Sequence, residues 1–224
     1  MALRGVLFDS GDTLIRPRGG RWNPRFDFED VVARHVPDIP TDLFPAAFAE
    51  GQRFLDAAPT TPTRDDYHRA ILAVLGVEDP SSALLAELKR PLEVPVVEPF
   101  PEVRSVLDQL RARRVVMAIV SDGWPSLERL YEQLDLHQFF AAFVMSTVLG
   151  CNKPDPRMYR AGSDALGLAP EECVFVDDDP VLVAAALRLG YHGLTICRAP
   201  APSPPADVPS VTSLHELVDL FERR

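Results

Sequence analysis

At 224 residues, 46% hydrophobic and 25% charged, the chain can bury one full core with room for an insert or a small second domain. A formal net charge of -10 argues against non-specific binding to nucleic acid or an anionic membrane, which both need basic surface. No apolar run approaches the ~20 residues of a membrane helix, Met1–Phe8 is too short for a signal peptide, and Cys151, Cys173 and Cys197 are odd in number with no C-x-x-C spacing. The expectation is a cytoplasmic protein with free thiols, a monomer or a homodimer.

Leu3–Phe8 reads as a short buried strand ending at a Ser-Gly-Asp turn, with a loop over Arg16–Gly20. From Asn23 to about Glu93 only helical spacing recurs, at Phe28-Val31-Val32-His35, Leu43-Ala47-Phe48 and Tyr67-Ile71-Leu72-Leu75. A further helix over Ser81–Leu92 takes Ser81 or Ser82 as its cap. The interval is therefore expected to be all-helical. Alternation of helix and strand follows: helix Pro101–Arg113, strand Val115–Val120, helix Pro125–Leu134, strand Phe143–Ser146, helix Pro156–Leu166 closed by Gly167, strand Val174–Val176, helix Pro180–Leu189 closed by Gly190, strand Gly193–Cys197. Ala199–Pro209 reads as a Pro-rich linker in a polyproline-like state, and Ser213–Phe221 as a closing helix. Strands alternating with helices predict an α/β fold, a doubly wound parallel sheet.

In such a sheet, ligands bind beyond the carboxyl ends of the strands. Asp9 follows the first strand, Ser121 the second and Asp177-Asp178-Asp179 a later one, with Lys153 upstream. Only two of the 23 basic side chains are lysines, Lys89 and Lys153, so a lysine in this position is informative. Each residue has a plainer role open to it. Asp9 can form a turn, Ser121 can cap a helix, Lys153 can be solvated, and Thr13 can satisfy a backbone group. Asp179 suits the start of a helix at Pro180. Asp177 and Asp178 are harder to place without a cation nearby.

Asp9-Ser10-Gly11-Asp12-Thr13-Leu14, Val120-Ser121-Asp122-Gly123, Lys153-Pro154-Asp155-Pro156 with Tyr159, and Val176-Asp177-Asp178-Asp179-Pro180 resemble, in order, the four motifs of the haloacid dehalogenase-like (HAD) hydrolase superfamily. The resemblance covers residues 3–15 and about 98–197. It implies a Rossmann-like core over residues 1–16 and 97–224 and a helical C1-type cap over residues 17–96, inserted after the first strand. It also implies that Asp9 is a nucleophile forming an aspartyl-phosphate, and that Mg²⁺ is held by Asp9, the Gly11 carbonyl and Asp178, with Asp177 as a second choice. Ser121 and neighbouring backbone N–H groups would hold the phosphoryl oxygens, with Asp122, Gly123, Thr13 and Trp124 at the substrate. Lys153 would offset charge. The implied substrate is a small phosphate ester or acyl phosphate, without nucleic-acid or membrane partners. In the insert, Trp22, Phe26, Phe28, Arg53, Tyr67, His68 and Arg69 are either substrate contacts or, for most aromatics, the insert's own core.

One position breaks the pattern. The phosphatase form of the first motif has aspartate two residues after the nucleophile, where this chain has Gly11, and has glycine at the position of Asp12. The missing carboxyl protonates the leaving group, a contribution of ~10²–10⁴ in rate. Asp12 could supply it only by reaching back; otherwise it makes a local turn bond. Four readings follow: a hydrolase of easily expelled leaving groups, a phosphatase with an acid from elsewhere, a phosphate-binding regulatory protein without turnover, and a metal-independent 2-haloacid dehalogenase. The last is favoured by the run Lys153–Tyr159 and opposed by the Asp cluster. Val181-Leu182 also lacks the acidic or amide group that relatives place there, which weakens support of a metal.

Overall fold

The computed structural model describes residues 2–18, 20–198, 205 and 207–221. The chain divides into two compact units, Met1–Arg16 with Glu98–Arg224, and Pro17–Val97. In chain order the elements are β1 (Gly5–Phe8), β2 (Ile15–Pro17), α1 (Phe28–His35), α2 (Phe44–Ala57), α3 (Arg64–Val74), α4 (Ser82–Lys89), β3 (Val97–Pro99) and α5 (Val103–Ala112). They continue with β4 (Val116–Ser121), α6 (Ser126–Gln133), β5 (Ala142–Met145), α7 (Ser146–Leu149), α8 (Pro156–Leu166), β6 (Cys173–Asp177), α9 (Pro180–Arg188), β7 (His192–Ile196), β8 (Ser210–Val211) and α10 (His215–Asp219).

The larger unit is built on a six-stranded sheet in the order β5-β4-β1-β6-β7-β8, with every pair parallel. All four residues of β1 and all five of β6 are buried. Their runs of branched and aromatic residues suit strands covered on both faces. β1 lies inside the sheet and the chain order runs outward from it on both sides. The loops after β1, β4 and β6 therefore meet at the carboxyl rim.

Register decides which side chains share a face. Leu7 pairs with Ala118 and with Phe175, so these three point the same way. They pack with Met158 and Tyr159 of α8 and Val183 of α9. Two residues on along each strand, Asp9, Val120 and Asp177 continue that face at the rim. α8 lies close against the sheet here because residue 162 is glycine. A Cβ at that position would stand 2.7 Å from Val120 Cγ2 and 3.0 Å from Leu7 Cδ2.

The second unit is helical. α3 starts at Thr63, whose hydroxyl accepts the Asp66 N–H, and α4 starts at Ser81, which accepts from Leu84 N–H. Phe28, Val31, Tyr67, Ile71 and Leu84 form its own apolar core. Three short strands depart from expectation. Arg16 and Pro17, expected in a loop, belong to β2, which pairs with β3 in a two-stranded ribbon. β8 adds two residues to the sheet edge. Elements of two or three residues cannot display a period-2 pattern. Most of the expected polyproline-like segment, residues 199–204 and 206, lies outside the described residues. No helix among the described residues is long and apolar enough to cross a membrane.

Candidate active site

The sheet face that carries Asp9 and Asp177 is also the face under α8. Lys153, on the loop just before that helix, reaches both. Its Nζ donates to Asp9 Oδ1 at 2.6 Å and to Asp177 Oδ2 at 2.7 Å, and lies 5.5 Å from the Phe175 ring centre. All three residues are buried. Asp178 joins them: one carboxylate oxygen from each of Asp9, Asp177 and Asp178 lies within 4.8 Å of the others.

Three carboxylates thus face one ammonium. Burial pushes the Asp9 carboxyl up to about 8, with Asp177 and Asp178 adding to the rise and Lys153 opposing it. The Asp178 residue is open to solvent, but its carboxyl is pushed up to about 7 by desolvation within the cluster and by the charges of Asp177 and Asp12. Burial works against the Lys153 ammonium, yet Asp177, Asp9 and Asp122 together hold its pKa above the usual range. An all-oxygen donor set with excess negative charge fits a hard divalent cation such as Mg²⁺.

The four aspartates near the rim divide their tasks. Asp177 has both oxygens engaged, Oδ2 by Lys153 and Oδ1 by the Asp179 N–H at 2.9 Å. Expected as a second metal ligand, it also fixes Lys153, and its carboxylate stays in the same cluster as those of Asp9 and Asp178. Asp179 is the cap of α9, accepting from Val181 N–H at 2.8 Å. Asp178 is left as the fourth-motif carboxylate facing Asp9. Asp122, expected at the substrate, has Oδ1 committed to the Lys153 backbone N–H at 2.9 Å. Through that bond it holds the lysine's loop.

The turn after Asp9 is closely bonded. Thr13 N–H donates to the Gly11 carbonyl at 2.6 Å, Leu14 N–H to Ser10 O at 2.9 Å, and Asp12 N–H to Ile15 O at 2.9 Å. The Gly11 carbonyl keeps a second lone pair for another partner. Asp12 adopts φ +50, in the left-handed region that aspartate tolerates better than most side chains. The buried Thr13 hydroxyl has no hydrogen-bond partner among the described residues, so the backbone-satisfying role expected of it is not observed. Ser121 ends β4 and is buried, with no hydrogen bond to its hydroxyl among the described residues. It does not cap α6, whose N-terminal residue, Pro125, makes no side-chain cap. Half-buried Trp124 accepts Leu127 N–H on its carbonyl as the chain turns into α6.

Several supporting residues lie outside the motifs. Ser10 and Tyr131 share a buried hydroxyl–hydroxyl bond of 2.9 Å. Ser146, at the end of β5, accepts the Gly123 N–H at 3.0 Å, and Thr147 Oγ1 donates to the Gly123 carbonyl at 2.8 Å. Arg198, just after β7, donates to the Asp12 and Thr13 carbonyls. Ser146 and Arg198 obey the strand-end rule that pointed to Asp9 and Ser121, and that rule is the signal that could have found them. Tyr159, grouped with the third motif, packs on Phe175 and donates to the Leu182 carbonyl at 3.0 Å. In the helical unit, Phe28, Tyr67 and His68 are core residues, and Arg53 pairs with Glu50 on the surface.

A family model described as haloacid dehalogenase-like hydrolase matches residues 3–190. Over 234 residues the chain is 25% identical to the glyceraldehyde 3-phosphate phosphatase of Methanocaldococcus jannaschii, covering 98% of this chain and 97% of that protein. It is 33% identical over 116 residues to the phosphoserine phosphatase of Thermus thermophilus, covering 50% of this chain and 46% of the relative, about half its length. Among solved structures, the L-2-haloacid dehalogenase of Xanthobacter autotrophicus superposes with a TM-score of 0.67 at 19% identity, over 99% of both chains. At that identity the likeness speaks for the fold alone.

Proposed function

The chain belongs to the haloacid dehalogenase-like hydrolases, and from that premise we propose that it is a Mg²⁺-dependent phosphohydrolase acting on a small phosphate ester or acyl phosphate. The observation that carries this reading is the excess of carboxylate over ammonium at Asp9, Asp177, Asp178 and Lys153. A metal-independent dehalogenase has no use for that excess. A metal-assisted phosphoryl transfer does, because the transferred group is itself an anion that must approach an anionic nucleophile. The phosphatase relatives point the same way.

Asp9, Asp178 and the Gly11 carbonyl would hold the cation, which when bound neutralises phosphoryl charge and orients the group in line. Asp9 attacks phosphorus. A bond from its carboxylate oxygen to phosphorus forms while the bond to the leaving oxygen breaks. Lys153, fixed by Asp177 and by Asp122, holds the Asp9 carboxylate in one orientation and offsets developing charge. The Ser121 hydroxyl and the Asp122 N–H receive the phosphoryl oxygens, while the Gly123 N–H is held by Ser146. Water then attacks the aspartyl-phosphate at phosphorus, releasing phosphate and restoring the Asp9 carboxylate. With Gly11 unable to donate, Asp12 is the carboxyl we assign to the leaving group, and poor leaving groups turn over slowly.

The test is p-nitrophenyl phosphate hydrolysis with Mg²⁺ and with chelator. The expected result is metal-dependent turnover, abolished in Asp9→Asn. Phosphate and Mg²⁺ binding without turnover would move the protein to the regulatory class. Metal-free chloride release from 2-chloropropionate would move it to the dehalogenases.

A further inference from the structure

The segment from Ser146 to Lys153 is fastened at both ends to the turn that follows β4. At its first end, Ser146 Oγ accepts the Gly123 N–H at 3.0 Å and Thr147 Oγ1 donates to the Gly123 carbonyl at 2.8 Å. At its other end, the Lys153 N–H donates to Asp122 Oδ1 at 2.9 Å. Between them, the single turn of α7 closes on Gly150 at φ +73, whose N–H returns to the Ser146 carbonyl at 2.8 Å. Ser146 is fully buried and Thr147 half-buried. Neither belongs to the four motifs. Their place follows from register: Ser121 pairs with Met145 across β4 and β5, so the residues just beyond that pair stay side by side.

A peptide unit is planar, so a hydrogen bond to its N–H or its carbonyl orients the whole plane. Ser146 orients the peptide joining Asp122 to Gly123, and Thr147 the one joining Gly123 to Trp124. The Asp122 side chain is held separately by the Lys153 N–H. The Ser121 hydroxyl stands close to the same turn, since a Cβ on Gly123 would lie 3.8 Å from Ser121 Oγ. The two groups assigned to the phosphoryl oxygens, the Ser121 hydroxyl and the Asp122 N–H, thus occupy a short stretch anchored by β4 before it and by Ser146 and Thr147 after it. A free turn would lose backbone freedom when it bound an anion, whereas a fastened turn has lost that freedom on folding.

We propose that Ser146 and Thr147 are positioning residues for the oxyanion cradle. They hold the Asp122–Gly123 turn in the form that receives a tetrahedral phosphoryl group, and so set the affinity for phosphate through Gly123. This rests on the phosphohydrolase reading above and names residues outside the motifs on which its phosphate affinity depends.

The test is calorimetric titration of the full chain with inorganic phosphate in the presence of Mg²⁺, alongside p-nitrophenyl phosphate kinetics. Ser146→Ala and Thr147→Val are each expected to raise the Kd for phosphate by about threefold to tenfold, the scale of one lost hydrogen bond. KM should rise in step with kcat within about threefold, because the weakened interaction is common to ground state and transition state. Thr147→Ser keeps the donor and should restore wild-type values. Ser163→Ala removes a buried hydroxyl bond of 2.8 Å to Tyr191 elsewhere in the same unit, and should leave the Kd unchanged whatever it costs in stability. Thr147→Val carries the test if Ser146→Ala does not fold. Wild-type affinity in either variant, no recovery in Thr147→Ser, or equal weakening in Ser163→Ala would overturn the proposal while leaving the phosphohydrolase reading in place. A wild-type chain that neither binds phosphate nor hydrolyses the ester with Mg²⁺ would overturn that reading, and the proposal with it.

Discussion

Lys153 is a single ammonium shared by two buried carboxylates, and its removal leaves both uncompensated. Breaking a buried ion pair from one side typically costs about 3–5 kcal/mol, because the remaining charge has lost its partner. Lys153→Met should therefore destabilise the fold, and the loss should depend on pH in a defined direction. The Asp9 carboxyl lies near 8 in the native protein, whereas an unfolded aspartate titrates near about 3.9. Between those values the native state holds more protons than the unfolded state, so stability falls as pH rises. Asp178, raised to about 7, acts in the same sense. Thermal melts with chelator should show Lys153→Met close to wild type near pH 5 and far below it at pH 8. Adding Asp177→Asn, or Mg²⁺, should recover part of the gap. A gap independent of pH would mean that the lysine acts by packing alone.

At the scale of elements, the site depends on how closely α8 approaches the sheet, since the Lys153 loop leads directly into that helix. Gly162 sets the approach, and Gly162→Ala should force α8 away from Val120 and Leu7. A methyl group in a filled core costs about 1–3 kcal/mol. The loss of turnover should exceed that of other substitutions of equal cost placed away from α8, because Lys153 moves with the helix. Equal activity at equal stability would refute the coupling. The elements themselves were largely legible. Pro156 with Gly167, and Pro180 with Gly190, mark helices whose ends the structure places within about two residues of expectation, because proline and glycine act locally. α5 shows why long apolar periods are read safely: Val103, Val106, Leu107 and Leu110 are all fully buried. β2, β3 and β8 were not legible, since pairing partners far along the chain define them and their two or three residues carry no period. The hydrogen-bond settings of Asp122 and Thr13 were not legible for a related reason. The motif locates a polar group at the rim, but whether it meets substrate or a backbone N–H depends on loops elsewhere.

For the whole molecule, the two units have separate cores and therefore separate responses to acid. The sequence pattern separated them by a change of period, helical only before about residue 93 and alternating after it, within a few residues of the observed division. It could not reveal which polar groups the helical core encloses. His68 is one. It sits among Phe28 and Tyr67 with its Nδ1 buried and unpartnered among the described residues. Burial, reinforced by the Arg64 charge, pushes its pKa down to about 4. An unfolded histidine titrates near about 6.5, so between those values the unfolded state holds more protons and stability falls as pH drops. The larger unit has the opposite slope over part of that range, because Asp9 and Asp178 are raised. Calorimetry of the intact chain with chelator should thus show the helical unit's transition moving down as pH falls from 6.5 to 4, while the sheet unit's transition holds or rises. His68→Phe should remove the first movement and leave the second. A single transition that shifts as a whole would mean that the two cores melt as one. Movement of the helical transition in His68→Phe equal to that in wild type would place the acid sensitivity on other groups.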